Sequence, residues 1–534
     1  MDLLRIGDGA KRTWPDDEIG SKAANLARMA ALGLPVPPAF IVPIAICADV
    51  AAKGDTFAAA KRQLAEMLRE GIAWLETATG KVFGDRRRPL LVSVRSGAAI
   101  SMPGMLDTVL DVGCTAAATR GLIRMTGNPG LAWDCRRRFL EAYAKNVLGL
   151  DPAPFQRATA DIMKGAGAGS ERDLDAEDRE RLASAYEETI AGLNAQVPDD
   201  AMSMLVAAAE SVCHSFMSDR ARTYRKLQRL DDLKGTAVTV QAMVFGNRGR
   251  NSGSGVAFSR DPSTGSPEPV IDFLVNAQGE DVVSGRITPR TEAAIAQVMP
   301  DAYAQLRDVL ARLERHFGDV QDVEFTVEDG KFWILQTRAA KRTPRAALRF
   351  AVDFVREGLL SPVEAAQRLE GLDAAALAIT HFVDAGVAAA RGTGAAAGVA
   401  VGRAAFDSSA AQILAARDEP VILVRPDAST ADVAGFSAAV GILTAAGGRT
   451  AHAALVARHM GKPCIVGCRA LSVNSDEHCA RLGDSRLAEG DWIAVDGGRG
   501  EVFLGQRKII TEFPAAELEQ LKAWRAGGQA SQAA

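Results

Sequence analysis

Between Ala438 and Cys468 the chain reads AAVGILTAAGGRTAHAALVARHMGKPCIVGC, and few local structures satisfy that order of residues. Val440 to Thr444 is apolar and β-prone, and Gly447-Gly448 permits a sharp turn. HAALVARHM then reads as a helix stopped at Gly461, with Pro463 forbidding its continuation and CIVG reading as a buried strand. The spacing therefore predicts strand, turn, helix and strand. Thr450 can cap that helix, and His452 falls in its first turn, where backbone N–H groups are unpaired and the dipole is positive. A phosphate on the imidazole would be stabilised there, with Arg449 as a counter-charge.

Composition narrows the setting. With 62 basic and 66 acidic residues the net charge is only −4, which gives no electrostatic grip on nucleic acid or a membrane surface. No apolar run approaches the ~20 residues needed to span a bilayer. The start, MDLLRIGDGAKRTWPDDEIG, lacks the apolar core of a secretory leader. Seven scattered cysteines fit reduced thiols, and the expected location is the cytoplasm. Cys464, Cys468, His459 and His478 cluster in sequence but lack the paired spacing of a zinc knuckle.

At 534 residues the chain is too long for one core. A strand is predicted at Pro89 to Ala98, and residues ~115 to 232 read as almost wholly helical. Strand patterns return in GTAVTVQAMVF (Gly235 to Phe245), SGSGVAFSRDPSTG and PVIDFLVNAQG. DVEFTVEDGKFWILQTR reads as a hairpin, Asp322 to Val327 and Lys331 to Arg338 about a Glu328-Asp329-Gly330 turn. Its alternation puts Asp322 and Glu324 on one strand face and gives Gln336 and Arg338 the same spacing, a plausible oxygen-rich platform for Mg²⁺ and a triphosphate. On pattern alone such a face is more often simply the wet side of a hairpin. Helices are expected from ~344 to ~384, and the Ala/Gly-rich run Ala388 to Gly398 reads as a boundary and hinge.

GGRTAHAALVARHMGKPC resembles the phosphohistidine domain of the pyruvate phosphate dikinase family. The likeness extends through VILVRPDASTADVAGFSAAVGILT upstream and AEGDWIAVDGGRGEVFLG downstream. It implies that His452 is the phosphorylated residue. Thr450 matches the position at which plant dikinases are switched by phosphorylation, although the cap reading suffices for it. The amino-terminal two-thirds resembles the family's ATP-grasp nucleotide-binding domain. The likeness is carried by GSKAANLARMAALGLPVPPAF, LLVSVRSGAAISMPGMLDTVLDVG, VQAMVFGNRGRNSGSGVAFSRDPSTG, FLVNAQGEDVVSGRITP and the hairpin. By position, the resemblance makes Lys22 and Arg95 phosphate ligands and adds Gln241, Gly253 and Glu280 to the nucleotide contacts. It makes Asp322 and Glu324 the Mg²⁺ ligands, and Gln336 and Arg338 clamps on the transition state. Ser21, Ala23, Arg250 and Asp272 depart from the family's usual residues, which leaves nucleotide affinity and metal preference open.

The expectation is an α/β and α+β multidomain chain. An ATP-grasp domain with a helical insertion covers 1–343, and a helical linker 344–387. A swivelling β/α phosphohistidine domain covers 388–507, and a helix with a disordered tail 508–534. The resemblance implies ATP-dependent formation of pyrophosphoryl-His with release of AMP, phosphate or water then removing the terminal group. The family's (β/α)8 barrel needs about 250 residues, and the stretch after Gln506 suffices for one helix. The ATP half-reaction is therefore expected here, with pyruvate or another acceptor on a separate chain or domain that binds phosphoenolpyruvate and pyruvate. Two alternatives stand beside it: a kinase of another small molecule, and a nucleotide-binding regulator without turnover.

Overall fold

Five strands organise the unit formed by Met1–Arg248 together with Trp333–Gln336. They are β1 (Leu4–Ile6), β2 (Ala39–Val42), β3 (Val92–Gly97), β4 (Thr108–Val112) and β5 (Ala237–Ala242), in the order β1-β2-β5-β3-β4. Each neighbouring pair runs antiparallel. Every residue of β2 and β5 is buried; β2 (AFIV) is a continuous apolar run, whereas β5 (AVTVQA) buries Thr239 and Gln241 among its apolar residues. The computed structural model describes residues 3–532 except 53–56, 101, 103–104, 284–291, 373–376, 385, 428–431 and 475–476.

Between β4 and β5 the chain is helical, as its periodicity predicts, from Ala116–Thr126 through to Asp219–Gln228. The breaks are written locally. Thr115, Asn128, Asp175, Asp200 and Ser218 each cap the next helix by accepting a backbone N–H on the side chain. Leu131, Phe139, Leu140 and Tyr143 of the Pro129–Asn146 helix join Val92, Val94 and Val240 of the sheet in one core.

The second unit, Gly249–Phe332 with Thr337–Ala534, carries a four-stranded and an eight-stranded sheet beside smaller ones, the middle of the last hairpin strand (Trp333–Gln336) belonging to the first unit. The four-stranded sheet comprises β6 (Gly253–Phe258), β7 (Val270–Val275), β8 (Gln321–Glu328) and β9 (Lys331–Ala339), in the order β9-β8-β6-β7. The predicted hairpin is β8–β9, and its turn residues Asp329 (φ 53°) and Gly330 (φ 80°) are both left-handed, the type I′ geometry that Asp-Gly favours. Within the sheet Phe273 stacks on Phe325 with centroids 5.8 Å apart.

The other sheet comprises β10 (Ala390–Arg391), β11 (Thr393–Ala396), β12 (Val399–Ala405), β13 (Val421–Arg425), β14 (Gly441–Thr444), β15 (Cys464–Val466), β16 (Trp492–Asp496) and β17 (Glu501–Leu504). Its order is β10-β17-β16-β12-β13-β14-β15-β11, with β12 to β15 parallel and the flanks antiparallel. The Ala/Gly run read as a hinge is thus strand: β10 pairs with β17 and β11 with β15. Its small residues serve close approach, since a Cβ at Gly392 would lie 2.7 Å from Ile465 Cγ2 and one at Gly394 2.6 Å from the Gly497 carbonyl.

Two other expectations are corrected. The segment read as a helical linker is helical only at Pro344–Arg356 and Pro362–Arg368, after which Ile379–Phe382 forms a strand paired antiparallel with Ile509–Glu512. Both segments carry adjacent β-branched residues (Ile379-Thr380; Ile509-Ile510-Thr511), and a partner about 130 residues away is invisible to local periodicity. The terminal segment read as disorder-prone beyond its first turns continues as the helix Ala515–Gln532. Among the described residues no helix is long and apolar enough to cross a membrane.

Candidate active site

Gly20 sets the first part of the site. It adopts φ 80°, and a Cβ there would run into the Gly97 carbonyl at the end of β3. Without a side chain, the helix Ser21–Ala31 starts against that strand, and both Ser21 N–H (2.9 Å) and its hydroxyl (3.2 Å) donate to Ala98 O. Lys22, one residue into the helix, and Arg95 on β3 therefore meet around one small cleft, lined also by Thr239, Gln241 and Gln336. Gln241 is held by a hydrogen bond that its Nε2 donates to Pro37 O (3.1 Å). Gln336 is fixed by its strand, whose Ile334 N–H donates to Pro35 O (2.8 Å). Four of the sequence-predicted residues thus come together in this unit. A cleft with two cations and two amides suits phosphate oxygens.

In the other unit β8 carries Asp322 and Glu324, and the end of β9 carries Arg338. Asp322 is 2% exposed; its Oδ2 accepts from Arg338 Nε at 2.8 Å, and its Oδ1 is buried without a hydrogen-bond partner among the described residues. Burial pushes the Asp322 carboxyl above its ordinary range, while the Arg338 guanidinium pulls against that shift. A buried carboxylate oxygen with no donor, beside a second carboxylate two residues on, is a donor set suited to a hard divalent cation. Gly253 begins β6, where a Cβ would collide with the Phe273 ring, so packing already requires glycine there. Glu280 lies in the first turn of the short helix Gly279–Val283.

The turn bearing Arg449 and Thr450 leaves the carboxyl end of β14, the edge of a parallel sheet where ligands are usually met. His452 is the first residue of the helix His452–His459; its side chain lies outside the described residues, as do Ser101, Pro103 and Gly104 of GAAISMPGM. Thr450 does not cap this helix. The N-cap is Ala451, without a side-chain bond, and Thr450, 2% exposed, turns both its N–H (2.8 Å) and its hydroxyl (2.9 Å) to Asp272 Oδ2 on β7. A buried carboxyl oxygen within reach outcompetes capping for that hydroxyl. Burial pushes the Asp272 carboxyl upward, and the two bonds from Thr450 oppose it. Arg449 donates from Nε to Gly394 O at 3.2 Å.

Sequence reasoning missed Arg458. It lies on the same helix, only 1% exposed, with its guanidinium carbon 5.0 Å from the Phe258 ring centroid. Burial pulls it down to about 10, against the attraction of Asp322 and other acidic groups. The available signal was a cation among the small buried residues Ala453, Ala454 and Ala457. A cluster of Asp407, His478 and Glu489 elsewhere in the unit brings three potential ligand atoms within 4.8 Å, but His478 Nδ1 at 3.0 Å from Glu489 Oε2 already forms an ion pair with it when protonated.

Comparison with known proteins agrees with this layout. Residues 57–295 and 289–357 match the family described as pyruvate phosphate dikinase, AMP/ATP-binding domain, and residues 417–500 match the PEP-utilising enzyme, mobile domain. The chain is similar to pyruvate, phosphate dikinase of Clostridium symbiosum, 40% identical over 514 residues, covering 95% of this chain and 58% of the relative. It is 41% identical to the Rhizobium meliloti (strain 1021) enzyme of that name over 529 residues, with the same coverage. Against the chloroplastic pyruvate, phosphate dikinase 1 of Arabidopsis thaliana it is 40% identical over 511 residues, 95% of this chain and 53% of the relative. The chain thus spans a little over half the length of these relatives. With more than half of its residues matched by the AMP/ATP-binding description, the chain belongs to the pyruvate phosphate dikinase AMP/ATP-binding domain family.

Proposed function

We propose that this protein is a dikinase-type phosphotransferase in which His452 is phosphorylated at the expense of ATP. The observation that carries the reading is Asp322, buried, paired with Arg338 through one oxygen and lacking a partner among the described residues on the other, with Glu324 two residues along the same strand. Burying such a carboxylate is costly unless an occupant compensates it.

Lys22, Arg95 and Gln241 bind phosphate oxygens in this reading, and Gln336 and Arg338 meet the charge that develops during transfer. Gly253 and Glu280 complete the nucleotide contacts. Asp322 and Glu324 hold Mg²⁺, which supplies neutralisation of phosphate charge when bound. An imidazole nitrogen of His452 attacks the β-phosphorus, the bond from that phosphorus to the α,β-bridging oxygen breaks, and AMP leaves. Phosphate or water then takes the terminal phosphoryl group, leaving phospho-His. Residues 1–343 act as an ATP-grasp domain and 388–507 as a swivelling phosphohistidine domain, which delivers the group to pyruvate or another acceptor on a separate domain or chain.

The test incubates the protein with Mg²⁺ and β-labelled ATP, with and without phosphate. Acid-labile label that His452→Ala abolishes, with AMP as product, supports the reading; ADP as product, or no covalent label, sinks it. Phosphoenolpyruvate formed from pyruvate by this chain alone would refute a restriction to the ATP half-reaction.

A further inference from the structure

We propose that Arg458 is a positioning residue for the phosphorylation of His452: its buried guanidinium seats the helix that His452 opens against the strands that bear Asp322. The inference rests on the reading of His452 as the phosphorylated residue.

The helix His452–His459 buries a face of small residues, Ala453, Ala454 and Ala457, and packs Leu455 beside the cluster of Phe258, Phe350 and Phe354. Arg458 breaks that pattern. Its guanidinium lies over the Phe258 ring, and Nη1 donates to Ala395 O at 3.2 Å, an oxygen that also accepts from Ser263 Oγ at 2.6 Å. Its Nε and Nη2 are buried with no hydrogen-bond partner among the described residues. Phe258 is the direct cross-strand partner of Asp322 in the β6–β8 ladder, so the two side chains stand next to each other on one sheet face. The ring that Arg458 covers is therefore adjacent to the carboxylate whose Oδ1 also has no hydrogen-bond partner among the described residues.

A leucine or methionine would fill this space without the cost of desolvating a cation. What an arginine adds is direction, because its charge is attracted to Asp322 and its planar group stacks on one ring. Seating of the helix is thereby tied to the strand that carries the Asp322 and Glu324 pair. Small displacements matter in such an arrangement, since an attack geometry lost by about 1 Å costs on the order of a hundredfold in rate.

The experiment compares the wild-type chain with Arg458→Met and Arg458→Lys. Three quantities are read: hydrogen exchange of amides 450–459 in protein free of metal and nucleotide, the Kd for MgATP, and the single-turnover rate of acid-labile labelling. In R458M, exchange rises at 450–459 and not across the unit, Kd stays within about twofold, and labelling slows by about tenfold or more. R458K, which keeps the charge, recovers part of the rate. Labelling of R458M at the wild-type rate overturns the proposal. So does a joint loss of rate, affinity and unit-wide protection that R458K shares, since that marks a purely structural residue. If R458M does not fold, R458K decides alone: a slower rate at unchanged Kd supports positioning, and a wild-type rate or joint loss overturns it. A wild type that never takes label sinks the proposed function, while the exchange comparison still tests whether Arg458 seats the helix.

Discussion

Thr450 gives its backbone N–H and its hydroxyl to the same oxygen of Asp272, a residue 178 positions earlier in the chain. Both groups are buried, so each donor depends on that one acceptor. Asp272→Ala strands two donors and is expected to cost about 2–3 kcal/mol, while Thr450→Val removes one donor and costs about 1 kcal/mol. Urea melts of the two variants check the order; a larger loss in T450V would mean that the shared contact does not form in solution.

Asp272 and Asp134 are both buried aspartates, yet they respond to pH in opposite senses. At Asp134 burial raises the carboxyl, but Arg138 and Arg137 overcome it and hold the group well below the ordinary range. A depressed carboxyl stabilises the native state above its unfolded value and loses that contribution on acidification. The stability gap between wild type and Asp134→Asn, roughly 3 kcal/mol at neutral pH, should therefore shrink below about pH 4. The raised Asp272 carboxyl works the other way: its contribution is present below the unfolded value and is lost as pH rises through the folded one. Asp272→Asn, whose amide oxygen can still accept both bonds, should gain on wild type as pH climbs above the usual carboxylate range. Denaturation midpoints from pH 3 to 8 report both slopes, and parallel curves would contradict the argument.

Replacement of Gly20 by alanine imposes a positive φ on a residue with a Cβ and drives that atom into the Gly97 carbonyl. A destabilisation of roughly 3 kcal/mol or more is expected, together with loss of nucleotide binding at the Lys22 and Arg95 cleft. Calorimetry with ATP checks it. Normal affinity in a folded G20A protein would show that the cleft does not depend on this approach.

Asp322→Asn removes the charge partner of Arg338 and half of the carboxylate pair. Labelling of His452 should fall by about a hundredfold, with a higher Mg²⁺ concentration needed for half-maximal labelling. Nucleotide affinity measured without divalent ion should change by less than about threefold, because Lys22 and Arg95 are untouched. An unaltered Mg²⁺ requirement would remove Asp322 from the metal site.

Much of this was legible in the residues themselves. The Asp329-Gly330 turn, the capped helices after Thr115, Asn128, Asp175, Asp200 and Ser218, and the strand–turn–helix order around His452 follow from groups a few positions apart. So do the shared strand face of Asp322 and Glu324 and the resemblance of GGRTAHAALVARHMGKPC, which is a property of order alone. Tertiary structure decided the rest. Thr450 reads as a cap until β7 brings Asp272 beside it, Ala388 to Gly398 reads as a hinge until β15 and β17 pair with it, and Ile379–Phe382 becomes strand only when Ile509–Glu512 arrives. Arg458 draws no notice in the sequence, and only the fold buries it against Phe258. A buried hydroxyl, cation or peptide group takes whichever partner desolvation leaves within reach, and when that partner lies a hundred residues away only the folded chain determines which one it is.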